Sequence, residues 1–444
     1  MGRRLNVQRL IIWLNGTPVG YWETSPGKTS LHYFAEWLED EQRRPLSLSL
    51  PFTPNNEPYQ GSIVRNYFDN LLPDSDAIRR RISLHFKTHG TEPHQLLAAI
   101  GRDCAGAIQL LPENETPFDL FAINGEPLNE AQVAALLRNI ASDHPLGQRT
   151  DEDALRLSIA GAQEKSALLW HGNGWKRPVG STPTTHIFKL PLGLVGAMQA
   201  DMRTSVENEW LCSRIVRTFG LAVADCEIAQ FEEIKTLIVT RFDRKYSEDG
   251  SWIVRLPQED FCQAKGISPL QKYQSDGGPG ITEIMEILLG SSAAEVDRRR
   301  FFKTQLVFWL LAATDGHAKN FSIFLQPNSR FQATPLYDVL SAHPIIGTGR
   351  NKLAPQKAKL AMAVRGRSNY YAIQQIRRRP WLNHARLVGL GEAVADSLIE
   401  EVVKNTEGVV ESVSKQLPAE FPGDLADAIF TGMLEQCSLL KRMS

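Results

Sequence analysis

The chain has 444 residues, with 49 Lys plus Arg against 50 Asp plus Glu and a formal net charge of −1. That balance excludes bulk attraction to nucleic acid or to a membrane surface, so any basic patch must be local. At 42% hydrophobic residues, the length supports two or three packed units rather than one.

The five cysteines, at 104, 212, 226, 262 and 437, form no C-x-x-C pair and have no histidine cluster at zinc spacing. They read as buried thiols of a reducing compartment. The apolar run Leu10–Leu14 is cut short at once by Asn15-Gly16, unlike a signal peptide. The most apolar stretch, Leu306–Ala313, is far below the ~20 residues of a membrane span. A soluble, cytoplasmic protein without a membrane partner is expected.

In chain order, Ile11–Leu14, Asn15-Gly16 and Val19–Trp22 predict a hairpin, because Asn-Gly tolerates the positive φ of a tight turn. Leu46–Leu50 alternates with period two and predicts a half-buried strand. A helical stretch is expected over Asn66–His85, a strand region over Gly101–Leu111 and a short helix over Glu130–Ile140. From about 150, Ser158–Trp170 predicts a hairpin and His186–Leu190 a strand closed by Pro191. Ser205–Phe219 predicts an amphipathic helix stopped by Gly220, and Thr236–Phe242 a buried strand. After about 257 helices dominate, over Thr282–Leu289, Asp297–Ala313 and Trp381–Arg442. Three portions follow: 1–148, an α/β subdomain; 149–256, an α/β lobe with a small-residue loop and a lysine strand; and 257–444, an all-helical lobe.

The sharpest chemical signal is Thr314-Asp315-Gly316-His317-Ala318-Lys319-Asn320-Phe321, directly after a long apolar helix. Asp and Asn five positions apart match the spacing of a protein-kinase catalytic loop, in which the Asp accepts the substrate hydroxyl proton and the Asn binds magnesium. Asp338 follows as a second carboxylate in the position of a metal ligand, without the D-F-G tripeptide. Lys189 ends an apolar strand upstream, where a kinase places the lysine that pairs with ATP phosphates. Glu207 and Glu209, on the next helix, compete as its ion-pair partner. In Ser158–Lys165 a single glycine stands between two alanines, small enough for backbone N–H groups to approach a phosphate. Each fragment has a plainer explanation: Asp-Gly is usually a turn, His317 a satisfied loop histidine, Ser158 an ordinary strand serine. Their order is harder to dismiss: small-residue loop, strand lysine, helix glutamate, Asp and Asn, then Asp.

The words themselves are similar to those of a known family. Arg156–Lys165, Thr184–Pro191, Arg241–Arg244, Leu256–Asp260, Ser275–Gly280, Ala313–Phe321 and, near the front, Phe68–Ser75 resemble motifs of the HipA family. The resemblance covers nearly the whole chain. It implies a bilobal protein-kinase-like fold, α/β plus all-α, and the toxin half of a type II toxin–antitoxin pair. It implies ATP and Mg2+ as cofactors and non-specific serine/threonine protein kinase activity. Asp315 would then be the catalytic base, with Asn320 and Asp338 holding the metal. ATP would be bound by Ala160, Gly161, Ala162, Gln163, Lys189, Thr240, Arg241, Phe242, Asp243, Gln258, His317, Asn320 and Asp338. Thr240 departs from the family, where Glu is expected. Ser158 would be phosphorylated by another copy of the enzyme, switching it off. The implied target is an aminoacyl-tRNA synthetase, glutamyl-tRNA synthetase first, with growth arrest and persistence as the outcome. The implied partner is a HipB-type helix-turn-helix antitoxin on operator DNA, with the chain as co-repressor and as a homodimer in that complex. Of the runs Arg79–Arg81, Arg298–Arg300 and Arg377–Arg379, the last is preferred for DNA backbone contact, although a charge run is usually a solvated helix face. Two other classes compete: a catalytically inactive kinase-fold co-repressor, and a small-molecule phosphotransferase on the same core. The presence of Lys189, Asp315, Asn320 and Asp338 favours an active kinase over the first, and the front 150 residues disfavour the second.

Overall fold

A computed structural model describes residues 7–141, 157–158, 163, 165–196 and 198–441. The chain divides into two compact units, one of 1–190, 229–270 and 323–331, the other of 191–228, 271–322 and 332–444.

The first unit opens with the expected hairpin. Gln8–Leu14 and Thr17–Ser25 pair antiparallel across Asn15-Gly16, both at positive φ (46° and 88°). The strands order as Tyr59–Gln60, Lys28–Tyr33, Thr17–Ser25, Gln8–Leu14 and Ile108–Pro112. Leu10, Ile12 and Leu14 fall on one face by strand alternation. They bury in one core with Val64, Tyr67 and Phe68 of the helix Ser62–Asp69, where Trp22 stacks on Phe68 at 4.0 Å. A second sheet orders as Cys226–Phe231, Ile234–Thr240, His186–Lys189, Lys165–Trp170, Trp175–Pro178 and Gly125–Pro127. The helix Glu130–Ala141 covers it, with Val133, Ala134 and Leu137 in one core with Leu168, Phe188 and Ile238.

Several expectations need correction. Leu46–Leu50 is not a strand but a turn. Ser47 Oγ accepts from Ser49 N, Tyr33 Oη accepts from Leu46 N, and Glu259 Oε1 accepts from Leu48 N, so side chains meet the backbone groups a ladder would have used. The stretch Asn66–His85 is two helices, Ser62–Asp69 and Asp76–His85, with Pro73 between them and a Ser75 N-cap. Ser158–Trp170 is not a hairpin: Leu157–Ser158 pairs in parallel with Asp103–Cys104, and Lys165–Trp170 pairs with His186–Lys189. That parallel pairing joins residues from either side of position 148, both within the first unit.

The second unit is mostly helical: Ser205–Thr218, Ile281–Ile287, Ala294–Leu310, Arg378–Leu387, Glu392–Ser414 and Gly423–Ser438. The all-helical expectation after 257 is corrected by strands at Gln258–Asp260, Ser322–Gln326, Arg330–Ala333, Lys359–Arg365 and Asn369–Ala372. Leu360–Val364 is a short continuous run of buried residues, and periodicity cannot separate such a strand from a buried helix segment. Ser205–Thr218 is not amphipathic either; eleven of its residues are buried, Glu207 and Glu209 among them. Among the described residues, no helix is long and apolar enough to cross a membrane.

Glu259 is fully buried beside the Leu46–Leu50 turn, and burial pushes its carboxyl up to about 8 from the ordinary 4.5. The folded chain therefore holds a proton between those pH values that the unfolded chain has released. Stability falls as pH rises through that window and levels off above it. Glu259→Gln is expected to remove the decline. In urea titrations its advantage over wild type should be small at pH 5 and on the order of 1–3 kcal/mol at pH 8. Equal slopes against pH for the two proteins would refute this.

Candidate functional site

In the first unit, Lys189 ends the strand His186–Lys189, flanked by Leu237 and Lys165 in register. Its side chain is buried, and its carbonyl accepts from Thr236 Oγ1 at 3.0 Å. One residue on, Leu190 O accepts from Gln163 Nε2 at 2.5 Å, so Gln163 is tied to the end of the lysine strand. Ala160, Gly161 and Ala162 lie outside the described residues, and of Ser158 only the backbone, paired with Cys104, is described.

The segment after the neighbouring strand Ile234–Thr240 divides by burial. Thr240 is exposed, while the Phe242 ring packs edge-on against Phe324 at 5.8 Å. Arg241 and Asp243 instead point into a buried ionic cluster. Arg241 bonds Asp243 Oδ2 at 2.8 Å and lies 3.3 Å from Asp103 Oδ2; Arg244 reaches Asp103 Oδ1 at 2.8 Å, and Arg255 lies 3.5 Å from the same oxygen. Thr184 Oγ1 and N both donate to Asp103 Oδ2. Burial works to raise the Asp103 carboxyl, but Arg244, Arg241 and Arg255 overcome it and hold the group well below the ordinary carboxylate range. Asp243 also accepts from Gly106 N at 2.7 Å. The side chains of Arg241 and Asp243 are thus committed to holding the Asp103–Cys104 strand against the turn after Thr240. Gln258 sits beside Gly106, where a Cβ would come within 2.9 Å of Gln258 O, and the Gln258 Oε1 atom is buried.

In the second unit, the helix Ala294–Leu310 runs into Ala312 at φ 48°, which turns the chain out of the helix and into Thr314-Asp315. A Cβ on Gly316 would lie 2.7 Å from the Phe308 ring, so only glycine lets the loop close on that helix. His317 N donates to Asp315 O at 2.8 Å and Asn320 N to His317 O at 2.9 Å. Asn320 Nδ2 then donates to Asp315 O at 2.8 Å and to Asp338 O at 3.4 Å. One amide therefore joins the three residues that sequence spacing singled out. Asp338 itself sits at φ 59°, a left-handed conformation that Asp tolerates better than most residues. Its neighbour Tyr337 anchors the return, donating to Lys319 O at 2.8 Å and meeting Ser322 Oγ.

Asp315 presents an exposed carboxylate, 56% accessible, whereas the His317 ring is buried with Nε2 3.8 Å from Asp315 Oδ1. Tyr273, which the sequence did not single out, donates from its hydroxyl to Asp315 Oδ1 and packs edge-on against His317 at 5.0 Å. Its one signal in sequence is its position just before Ser275–Gly280.

Asn320 and Asp338 offer oxygen donors only, which suits a hard cation such as magnesium. Because both Asn320 amide donors are directed at backbone carbonyls, its Oδ1 is the atom left to face a metal. Arg378 and Arg379 open the helix Arg378–Leu387, with Arg377 at its N-cap and Pro380 in its first turn. Arg378 is engaged by Asp396 and Glu400, while Arg377 and Arg379 are exposed.

The family model described as the HipA-like C-terminal domain matches residues 157–410, and that of the HipA N-terminal domain matches 10–111. The chain belongs to the HipA family. The Sinorhizobium fredii protein named "Putative kinase Y4mE" is 32% identical over 416 residues, 92% of each chain. The serine/threonine-protein kinase toxin HipA of Shewanella oneidensis is 29% identical over 333 residues, 70% of each chain. In structure the chain is similar to that of the Shewanella oneidensis HipA, HipB and operator DNA complex, with a TM-score of 0.78 at 21% identity and 97% of each chain covered. The mixed α/β, kinase-like fold expected of the family is therefore the fold observed.

Proposed function

We propose that the chain is an ATP- and Mg2+-dependent serine/threonine protein kinase and the toxin of a type II toxin–antitoxin pair. The observation that carries the proposal is the Asn320 amide, which ties Asp315 and Asp338 to one another through their carbonyls. Base and metal ligands must share one γ-phosphate, and such a tie holds their backbones in one geometry. Asp315, exposed, would take the proton of the incoming serine hydroxyl. Asn320 and Asp338 would hold magnesium, which when bound neutralises charge on the phosphates. Lys189, with Gln163 fixing the strand end beside it, would pair with the α- and β-phosphates. Thr240 and Phe242 would line the adenine, while Arg241 and Asp243 would serve by holding the backbone of that segment. Exposed Arg377 and Arg379 would touch operator phosphates in a complex with a HipB-type antitoxin, in which the chain is a dimer and acts as co-repressor; Arg378 is already engaged by carboxylates. The three portions 1–148, 149–256 and 257–444 would divide the labour as antitoxin contact, nucleotide binding and catalysis.

The target proposed is an aminoacyl-tRNA synthetase, glutamyl-tRNA synthetase first, and its phosphorylation would stall translation. Ser158 would be the self-inactivating site, since a phosphoserine adds about −1.5 to −2 charge beside the loop that meets ATP phosphates. The test is incubation with γ-labelled ATP and magnesium, alone and with a panel of bacterial synthetases. Label is expected on Ser158 and on one synthetase. Ser158→Ala should remain active while phosphorylated wild type loses ATP binding. No label from verified unphosphorylated wild type would overturn the proposal and leave a co-repressor on a kinase fold.

A further inference from the structure

The segment Ser275–Gly280 is glycine-rich, which in a nucleotide-binding protein suggests a phosphate cradle. In the structure its glycines serve Tyr273 instead. Asp276 N and Gly278 N both donate to Tyr273 O at 3.0 Å, so the turn closes back on that residue. Gly277 sits at φ 97°, and a Cβ on Gly278 would lie 2.1 Å from Gln271 O and 2.9 Å from Tyr273 O. Any side chain at 278 would force the turn off the Tyr273 carbonyl. A Cβ on Gly280 would lie 2.3 Å from the Gln274 side chain, whose Oε1 accepts from Ala363 N at 2.7 Å. On the other side, Ala318 N donates to Lys272 O at 3.2 Å, joining the backbone before Tyr273 to the loop that carries Asp315. The ring is fixed edge-on against buried His317, at 5.0 Å and 89°. Backbone, ring and hydroxyl of Tyr273 are thus all held, and the hydroxyl ends on Asp315 Oδ1.

We infer that Tyr273, braced by the Gly277–Gly280 turn, is the positioning residue for Asp315: its hydroxyl holds Oδ1 and so aims Oδ2 at the incoming hydroxyl. The inference rests on the assignment of Asp315 as the base. An exposed carboxylate on a loop otherwise rotates freely about its side-chain torsions, and a base out of line by an ångström costs about 100-fold in rate. The Tyr273–Asp315 bond removes that freedom while leaving one carboxylate oxygen for the proton. At transfer, the serine O–H bond breaks toward Oδ2 as its oxygen bonds to the γ-phosphorus, the bridging bond to ADP breaks, and the Tyr273 proton stays on Tyr273.

The test is Tyr273→Phe, which keeps the ring against His317 and removes only the hydroxyl. The readout is transfer of label from γ-labelled ATP to a Lys189→Ala copy of the full chain, supplied as phosphoacceptor. The maximal rate is expected to fall about 10- to 100-fold, with KM for ATP and the thermal midpoint unchanged. In an Asp315→Asn background the same substitution should cost no more than twofold, because the group it positions is already gone. A Tyr273→Phe rate within twofold of wild type, or an equal loss in both backgrounds, overturns the inference and leaves the kinase assignment standing. A faster Tyr273→Phe enzyme also overturns it, since the hydroxyl would then obstruct the base rather than aim it. No transfer by wild type overturns both.

Discussion

Asp103→Asn is expected to lower the stability of the first unit by about 3–5 kcal/mol, the usual result of removing one partner from a buried ionic group. Three guanidinium groups, those of Arg241, Arg244 and Arg255, share two carboxylates, Asp103 and Asp243, and all five side chains are at most 10% exposed. Asn preserves volume and, with its oxygen at the Oδ2 position, the bonds from Thr184, while its amide nitrogen replaces the oxygen that accepts from Arg244, so the loss reports the charge together with that hydrogen bond. Asp103 touches all three arginines, and among the described residues of the cluster Asp243 is the carboxylate that remains without it. Urea unfolding followed by tryptophan fluorescence measures the loss, and a change below 1 kcal/mol would mean that water or a shift of the arginines compensates. Stability supplied by Asp103 is fully present above the ordinary carboxylate pKa of 3.8 and is lost as pH falls below it, because its folded pKa is depressed. The wild-type advantage over Asp103→Asn should therefore shrink only under strongly acid conditions. The consequence for function is indirect: the cluster holds the turn after Thr240, the segment proposed to meet the adenine.

Asp315→Asn is expected to cut phosphate transfer by about 10²–10⁴ without moving the thermal midpoint or the affinity for ATP and magnesium. Asp315 is exposed, and its side chain contacts Tyr273 and His317 but supports no packing. Asn keeps an oxygen to accept from Tyr273, so the loop should retain its shape while the proposed base is lost. Single-turnover transfer of labelled phosphate separates the chemical step from nucleotide binding. Retention of more than a tenth of the wild-type rate would assign proton removal to another group. Asp338→Asn, in contrast, is expected to weaken magnesium binding, so that added metal restores part of its rate and none of the rate of Asp315→Asn.

The sequence determined where the Asp315–Asn320 loop begins and which residues it contains. An apolar run such as Leu306–Ala313 reads as a buried helix or strand, and Asp-Gly after it favours a turn. It also determined the Asn15-Gly16 hairpin, the lysine strand and the stop at Gly220, because each depends on local backbone preference or on the period of apolar side chains. Tertiary structure decided the remainder. Leu46–Leu50 alternates like a strand, yet Glu259 and Tyr33, both distant in sequence, meet its amides and make it a turn. Ser158 lies within reach of a local hairpin, but its backbone pairs with Cys104, more than fifty residues away. The ionic cluster joins Asp103 to Asp243, Arg244 and Arg255, which a short hairpin brings together but which nothing local relates to Asp103. It commits the side chains of Arg241 and Asp243, which the family resemblance offered to ATP, to buried ion pairs. Tyr273 carries no signal of its own; it becomes part of the site only because Gly277 and Gly278 fold the chain back on it and Ala318 ties the neighbouring backbone to the Asp315 loop. Local preference acts over a few residues. Which distant polar groups satisfy one another is decided only when burial removes water as their alternative partner.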